Sequence, residues 1–135
     1  MSRSYRNSSL TRTLHAAANT LPAPSGTPAE NATGDITGWR AGSYAISDAE
    51  IAIDAAAGTT VVIPGPVDVL GYSRAAGKWR VLGTLASGAS ITVTSNNGFA
   101  QKVVAVGTYE HLQLRAGGAM SGGTVVVTAT PIEVM

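Results

Sequence analysis

Val67-Asp-Val-Leu-Gly-Tyr-Ser-Arg-Ala-Ala-Gly-Lys-Trp-Arg-Val-Leu-Gly-Thr-Leu85 reads as two strands folded back on one another. Ala75-Ala-Gly77 supplies the turn, because glycine enters the left-handed region without steric cost. On the second strand Trp79 alternates with Val81 and Leu85, which predicts that all three face a core. Further apolar runs lie at Thr60 to Ile63, Ala89 to Thr94, Gln101 to Val106, Tyr109 to Arg115 and Thr124 to Thr130. Turn chemistry separates them: Pro64-Gly65-Pro66, Ser87-Gly88, Asn96-Asn97-Gly98, Gly117-Gly118 and Gly122-Gly123.

Upstream, Asp48, Glu50 and Asp54 share one face of an extended chain while Ala49, Ile51, Ile53 and Ala55 share the other. Ser47-Asp-Ala-Glu50 also matches a helix capping box, with Gly58 as a stop. A helix would set Ile51 and Ile53 on nearly opposite sides, so the strand reading is preferred. Residues 43–135 are thus expected to form an all-β, antiparallel β-sandwich or jelly roll of roughly seven to eight strands. Consecutive valines at Val103-Val104 and Val125 to Val127 fit either an interior strand or one covered by a second chain on its far side.

Composition narrows the function classes. Only 13% of the residues are charged while 44% are hydrophobic, so the surface is cheap to desolvate and suits packing against other subunits. A formal charge of +1 provides no general field for a polyanion, and nucleic acid is not an expected partner. The absence of cysteine removes disulfides, thiolate metal sites and cysteine nucleophiles. The opening Met1-Ser-Arg-Ser-Tyr-Arg6 lacks an apolar signal region, and no apolar run approaches the ~18 residues of a bilayer span. Synthesis in a cytoplasm and no membrane partner are the expectation.

Residues 1–42 read as an N-terminal arm and linker outside the core. The arm carries Arg3, Arg6 and Arg12 with no acid before Glu30, followed by Leu21-Pro-Ala-Pro-Ser-Gly-Thr-Pro28, which favours neither helix nor ladder. Leu10, Leu14, Ala17, Ala18 and Leu21 recur at helical spacing, yet Leu10, Arg12 and Leu14 also fit a strand added to another subunit's sheet edge. Either conformation needs a partner to bury the leucines. Arg3, Tyr5, Arg6, Leu10, Arg12, Leu14, Leu21 and Trp39 are therefore the expected partner-binding residues.

No catalytic constellation is legible. His15 sits among alanines with nothing to fix it, and His111 alternates with Gln113 and Arg115 on an outward strand face, which reads as a solvated or interfacial histidine. Two distant histidines without cysteine fall short of a zinc set, and Asp48, Glu50 and Asp54 lack the spacing of a calcium loop. No enzyme activity, cofactor or metal is expected. Trp39, Tyr72 and Trp79 leave open a sugar-binding platform, although a core-facing Trp79 and a Trp39 that closes the arm junction are favoured.

Val61-Val-Ile-Pro-Gly-Pro-Val-Asp-Val-Leu70, Tyr109-Glu-His-Leu-Gln-Leu-Arg115 and Gly122-Gly-Thr-Val-Val-Val-Thr-Ala-Thr130 resemble the β domains of tailed-bacteriophage virion proteins, most of all capsid decoration (cement) proteins. The resemblance covers residues 43–135 and implies a homo-oligomer, often a trimer, on the capsid exterior. Its partner would be the major capsid protein or other virion subunits, with the N-terminal arm stapling neighbours. A tail, baseplate or head-to-tail joining subunit and a carbohydrate-binding β module are the alternatives.

Overall fold

A computed structural model of the chain describes residues 4–6, 8–41, 45–103, 106 and 109–134. The hairpin read at Val67 to Leu85 is β5 (Val67–Ser73) joined to β6 (Lys78–Ala86). Its turn closes through the Gly77 N–H, which donates to the Ser73 carbonyl at 2.7 Å, with Gly77 at φ +66°. Around it lie β3 (Ala45–Ala55), β4 (Thr60–Ile63), β7 (Ile91–Thr94), β8 (Phe99–Val103), β9 (His111–Arg115) and β10 (Val125–Val134). The acidic and apolar faces expected of β3 are both present: Ala49, Ile51 and Ile53 are fully buried, and Asp54 is exposed.

Two more strands precede these, β1 (Ser4–Arg6) and β2 (Arg12–Ala18), separated by a 3-10 turn at Ser8–Leu10. Both pair antiparallel with β10 on the flank that β3 does not use. The result is a five-stranded sheet in the order β1-β10-β3-β8 with β2 also on β10, facing a three-stranded sheet β6-β5-β9 and a two-stranded sheet β4-β7. This is an all-β, antiparallel sandwich. Its core interleaves Ile51, Ile53, Val125, Val127 and Ala129 from the large sheet with Val67, Val69, Leu112 and Leu114 from the three-stranded one. Val61, Ile63, Ile91 and Val93 from β4 and β7 complete it.

The N-terminal segment differs from the expected arm. Leu14 (1% exposed), Leu21 (3%), Ile36 (2%) and Trp39 (2%) all belong to the core. The alternation of Leu10, Arg12 and Leu14 does mark a strand added to a sheet edge, but that edge is the chain's own β10. Burial in cis needs no association entropy, so the leucines find it within one molecule. The boundary placed between residues 42 and 43 lies outside the described residues.

Register explains two further departures. Pairing across β6-β5-β9 builds three rows on the sheet's outer face: Trp79, Tyr72 and His111; Val81, Leu70 and Gln113; Thr84, Asp68 and Arg115. Bulges between Val67 and Asp68 and between Val69 and Leu70 insert extra residues in β6, so Leu85 points inward while Val81 is 51% exposed. Trp79 and Val81 therefore do not share the core face with Leu85. His111 does alternate with Gln113 and Arg115 as read, yet it is fully buried, because residues 26–28 cross this outer face and residues 34–36 pair along the free edge of β9. The valines of β10 alternate normally: Val125 and Val127 are buried and Val126 is 38% exposed.

Loop 117–123 is fastened to β4 by reciprocal bonds between Ser121 and Val62 at 3.0 and 3.2 Å. Gly122 there has φ +98°, and an added Cβ would run into the Thr60 carbonyl oxygen. Gly122→Ala is expected to destabilise the fold by more than the roughly 1–3 kcal/mol of a strained φ alone. Gly58 provides the comparison, having φ +76° with open space around it. In urea unfolding, Gly122→Ala should fall well below Gly58→Ala.

Candidate functional site

A cleft of about 300 Å³ opens where β2 meets the turn at 31–35 and the 3-10 helix Thr37–Ala41, lined by Arg12, Thr13, Asn31, Asp35, Thr37 and Gly38 among others. The turn is held from both ends. Gly34 donates to the Thr13 carbonyl at 3.0 Å and accepts from Leu112 at 2.9 Å, while Ile36 donates to the Glu110 carbonyl at 2.9 Å. Residues 34–36 thereby stitch β2 to β9 and join the five-stranded sheet to the three-stranded one.

Asp35 organises the turn. One carboxylate oxygen accepts from the Thr37 N–H (2.8 Å) and hydroxyl (2.6 Å), which caps the 3-10 helix, and the other accepts from the Asn31 N–H at 2.7 Å. Burial works to raise its pKa, but these three donors and the nearby His111 outweigh burial and hold it below the usual carboxylate value. With its oxygens so occupied, Asp35 is a structural anion rather than a free base.

Arg12 forms the opposite wall. Its Nη1 donates to the Leu10 and Thr11 carbonyls, both at 3.2 Å, and its Nη2 lies over Gly38, where a Cβ would meet it at 3.1 Å. The Leu10 carbonyl also accepts from the Trp39 indole at 2.7 Å. Arg12 and the sequence-distant Trp39 thus converge on the Leu10 carbonyl. The guanidinium keeps N–H groups for a second ligand, beside the Thr13 and Thr37 side chains and Asn31. Such a set suits a carboxylate on a partner's surface.

The remaining predicted residues are placed as follows. Arg3 lies outside the described residues, as do the side chains of Tyr5 and Arg6, whose backbones form β1. Leu10 is half-buried against the core, whereas Leu14, Leu21 and Trp39 are inside it. These three are not exposed in the single chain and support the segment from beneath. Thr13, Asn31, Asp35 and Thr37 were not singled out from sequence. The signal available was local: Asp35-Ile-Thr37 is a side-chain-capped turn, and Asn31 adopts φ +61°.

The histidines lie below this region. His15 on β2 accepts a hydrogen bond at Nε2 from the Leu114 N–H at 3.1 Å, so it is fixed rather than loose among alanines. Burial lowers its pKa to about 4. His111 places Nε2 3.3 Å from Arg74 Nη2, and its buried Nδ1 has no hydrogen-bond partner. Its pKa is also lowered, first by burial, with Asp35 and Glu110 opposing and Arg74 assisting. Neither is a solvated histidine. Trp39 and Tyr72 are buried at 2% and 4% exposure, so these rings and Trp79 form no open sugar platform. Among the described residues no three His, Asp or Glu side chains converge as a metal site.

No protein-family description and no curated protein matches the chain. Among solved structures it is similar to the crystal structure of the SPBc2 prophage-derived protein YomS, with a TM-score of 0.48 and 10% identity over 98% of this chain and 95% of that one. At that score the likeness adds nothing to what the residues themselves carry.

Proposed function

We propose that the chain is a non-enzymatic structural subunit of a phage virion, which binds the capsid exterior and fastens neighbouring subunits through its N-terminal segment. The observation that carries this reading is the position of that segment. β1 is the terminal strand of the five-stranded sheet, paired on one side to β10, and the Arg12 cleft opens beside the same segment. A terminal strand offers its outer backbone groups to another chain, and the arginines supply charge on a surface otherwise sparse in it.

Arg3, Tyr5, Arg6, Leu10 and Arg12 are the proposed contacts, with Leu14, Leu21 and Trp39 holding them in place from the core. Many such weak contacts repeated over a shell give avidity. The test is binding of purified protein to particles lacking it. Arg12→Glu should weaken binding about tenfold or more and reduce its salt sensitivity, while thermal unfolding of the free protein changes little. Equal binding by Arg12→Glu and by a chain with Arg3 and Arg6 changed to Glu would exclude this segment as the contact. Copy number per particle separates a shell protein from a ring at a vertex or tail.

A further inference from the structure

Residues 22–28 make no backbone-to-backbone hydrogen bond among the described residues, although they cross a three-stranded sheet. What holds them is a clamp of three side chains from the tip of the β5-β6 hairpin. Trp79 Nε1 donates to the Gly26 carbonyl at 2.9 Å, the Tyr72 hydroxyl shares a hydrogen bond with the Thr27 hydroxyl at 2.9 Å, and Arg74 Nη2 donates to the Pro28 carbonyl at 3.1 Å. Tyr72 and Trp79 pack together beneath, their ring centroids 5.3 Å apart. Glu110 accepts from the Arg74 backbone N–H at 3.0 Å and steadies the third member. Three neighbouring side chains thus bind three consecutive residues of a proline-flanked segment that bends at Gly26 (φ +72°), in the manner of a groove that receives a peptide.

We propose that this hairpin tip is a peptide-binding platform whose occupant can be the 22–28 segment of a second copy of the chain, so that two copies join by exchanging straps. Three features support the exchange. The contacts are to main-chain carbonyls and one hydroxyl, which are the same whichever molecule supplies them. The segment is fastened at its two ends by buried Leu21 and Ile36, and half of the intervening loop, extended, reaches on the order of 20 Å. Beside the clamp on the same face, Val81 is half-exposed, an apolar neighbour that a second copy would cover. Reciprocal exchange is two-fold symmetric and closes on itself. Fastening by a few isolated side-chain bonds, without a ladder, lets the strap open without unfolding the sheets.

The inference concerns copies of this chain alone and does not depend on the virion reading. Its test uses two full-length variants. In the first, residues 22–28 are replaced by a glycine-serine segment of equal length, leaving the platform intact. In the second, Tyr72→Phe, Arg74→Ala and Trp79→Phe remove the clamp and leave the strap. Sedimentation equilibrium should show the wild type associating with rising concentration, each variant alone remaining monomeric, and the mixture of the two recovering a pair. A synthetic peptide of residues 21–30 should bind the first variant at least about tenfold more tightly than the same variant carrying the clamp substitutions. A wild type that stays monomeric, a variant that associates alone as well as the wild type, or a peptide with no affinity for the open platform would each overturn the exchange. Should the strap replacement fail to fold, Thr27→Ala paired with Trp79→Phe makes the same comparison with smaller changes.

Discussion

Leu14→Ala is expected to lower the unfolding free energy by about 2–5 kcal/mol, the range for emptying a fully buried leucine site. Leu14 is 1% exposed and belongs to the single core of the sandwich, although it sits among residues whose composition suggests a detachable arm. Its strand pairs with β10 and is stitched to β9 through Gly34 and through His15, so the surroundings cannot collapse freely into the space left behind. Domains of this size are stable by only about 5–15 kcal/mol, and the loss is therefore a large share of the total. Urea unfolding of Leu14→Ala against Ala17→Ser, an exposed change on the same strand, measures it directly. Near-equal midpoints for the two variants would mean that the N-terminal segment is not part of the folded body.

The second large effect is acid sensitivity. His15 has a folded pKa of about 4 against an ordinary value near 6.5. Between those values the unfolded chain binds the proton and the folded chain does not, so stability falls as pH falls through that window. The loss from His15 is about 2–3 kcal/mol by pH 4, allowing for its partial exposure. The geometry gives the cause: its Nε2 accepts from the Leu114 N–H, and a protonated ring would turn a donor toward a donor. His111 adds loss in the same direction, its pKa lowered mainly by burial. Below about pH 4 a different loss begins. Asp35 and Asp68 have depressed pKa values, burial opposing and hydrogen bonds from Thr37, Asn31, Arg115 and Thr84 prevailing, so their contribution is present above the ordinary carboxylate value and disappears as they protonate. His15→Gln keeps an acceptor for Leu114 without a titrating ring. Its stability should match the wild type within roughly 1 kcal/mol at pH 7 and exceed it at pH 4. An unchanged slope between pH 6.5 and 4 in that variant would assign the acid sensitivity elsewhere.

Much of the fold was legible from residues 45–134. The strands from β3 to β10 lie on or near the apolar runs, because period-two alternation and turn glycines act over a few residues and need no knowledge of the partner strand. The acidic face of β3, the Gly77 turn and the outward direction of His111 follow from the same local rule. What local rules do not show is what lies above a face. His111 points outward and is nonetheless buried, since a strap fastened by Trp79, Tyr72 and Arg74 crosses it. Bulges in β6 after Val81 likewise turned Leu85 to the face opposite Trp79 and Val81, because a bulge depends on how the opposite strand is paired.

The candidate cleft was half legible for the same reason. Arg12 and Trp39 stood out as a cation and an indole near an acid-free segment, but their meeting at the Leu10 carbonyl needs the 3-10 helix Thr37–Ala41 to fold back onto the start of β2. By itself the sequence determined the strand positions, their alternation and the sparse surface charge, because these depend on each residue and its immediate neighbours. Only the tertiary structure decided that the N-terminal segment completes its own sheet, since burying Leu14 depends on which long-range edge is nearest, and that edge is β10 of the same chain.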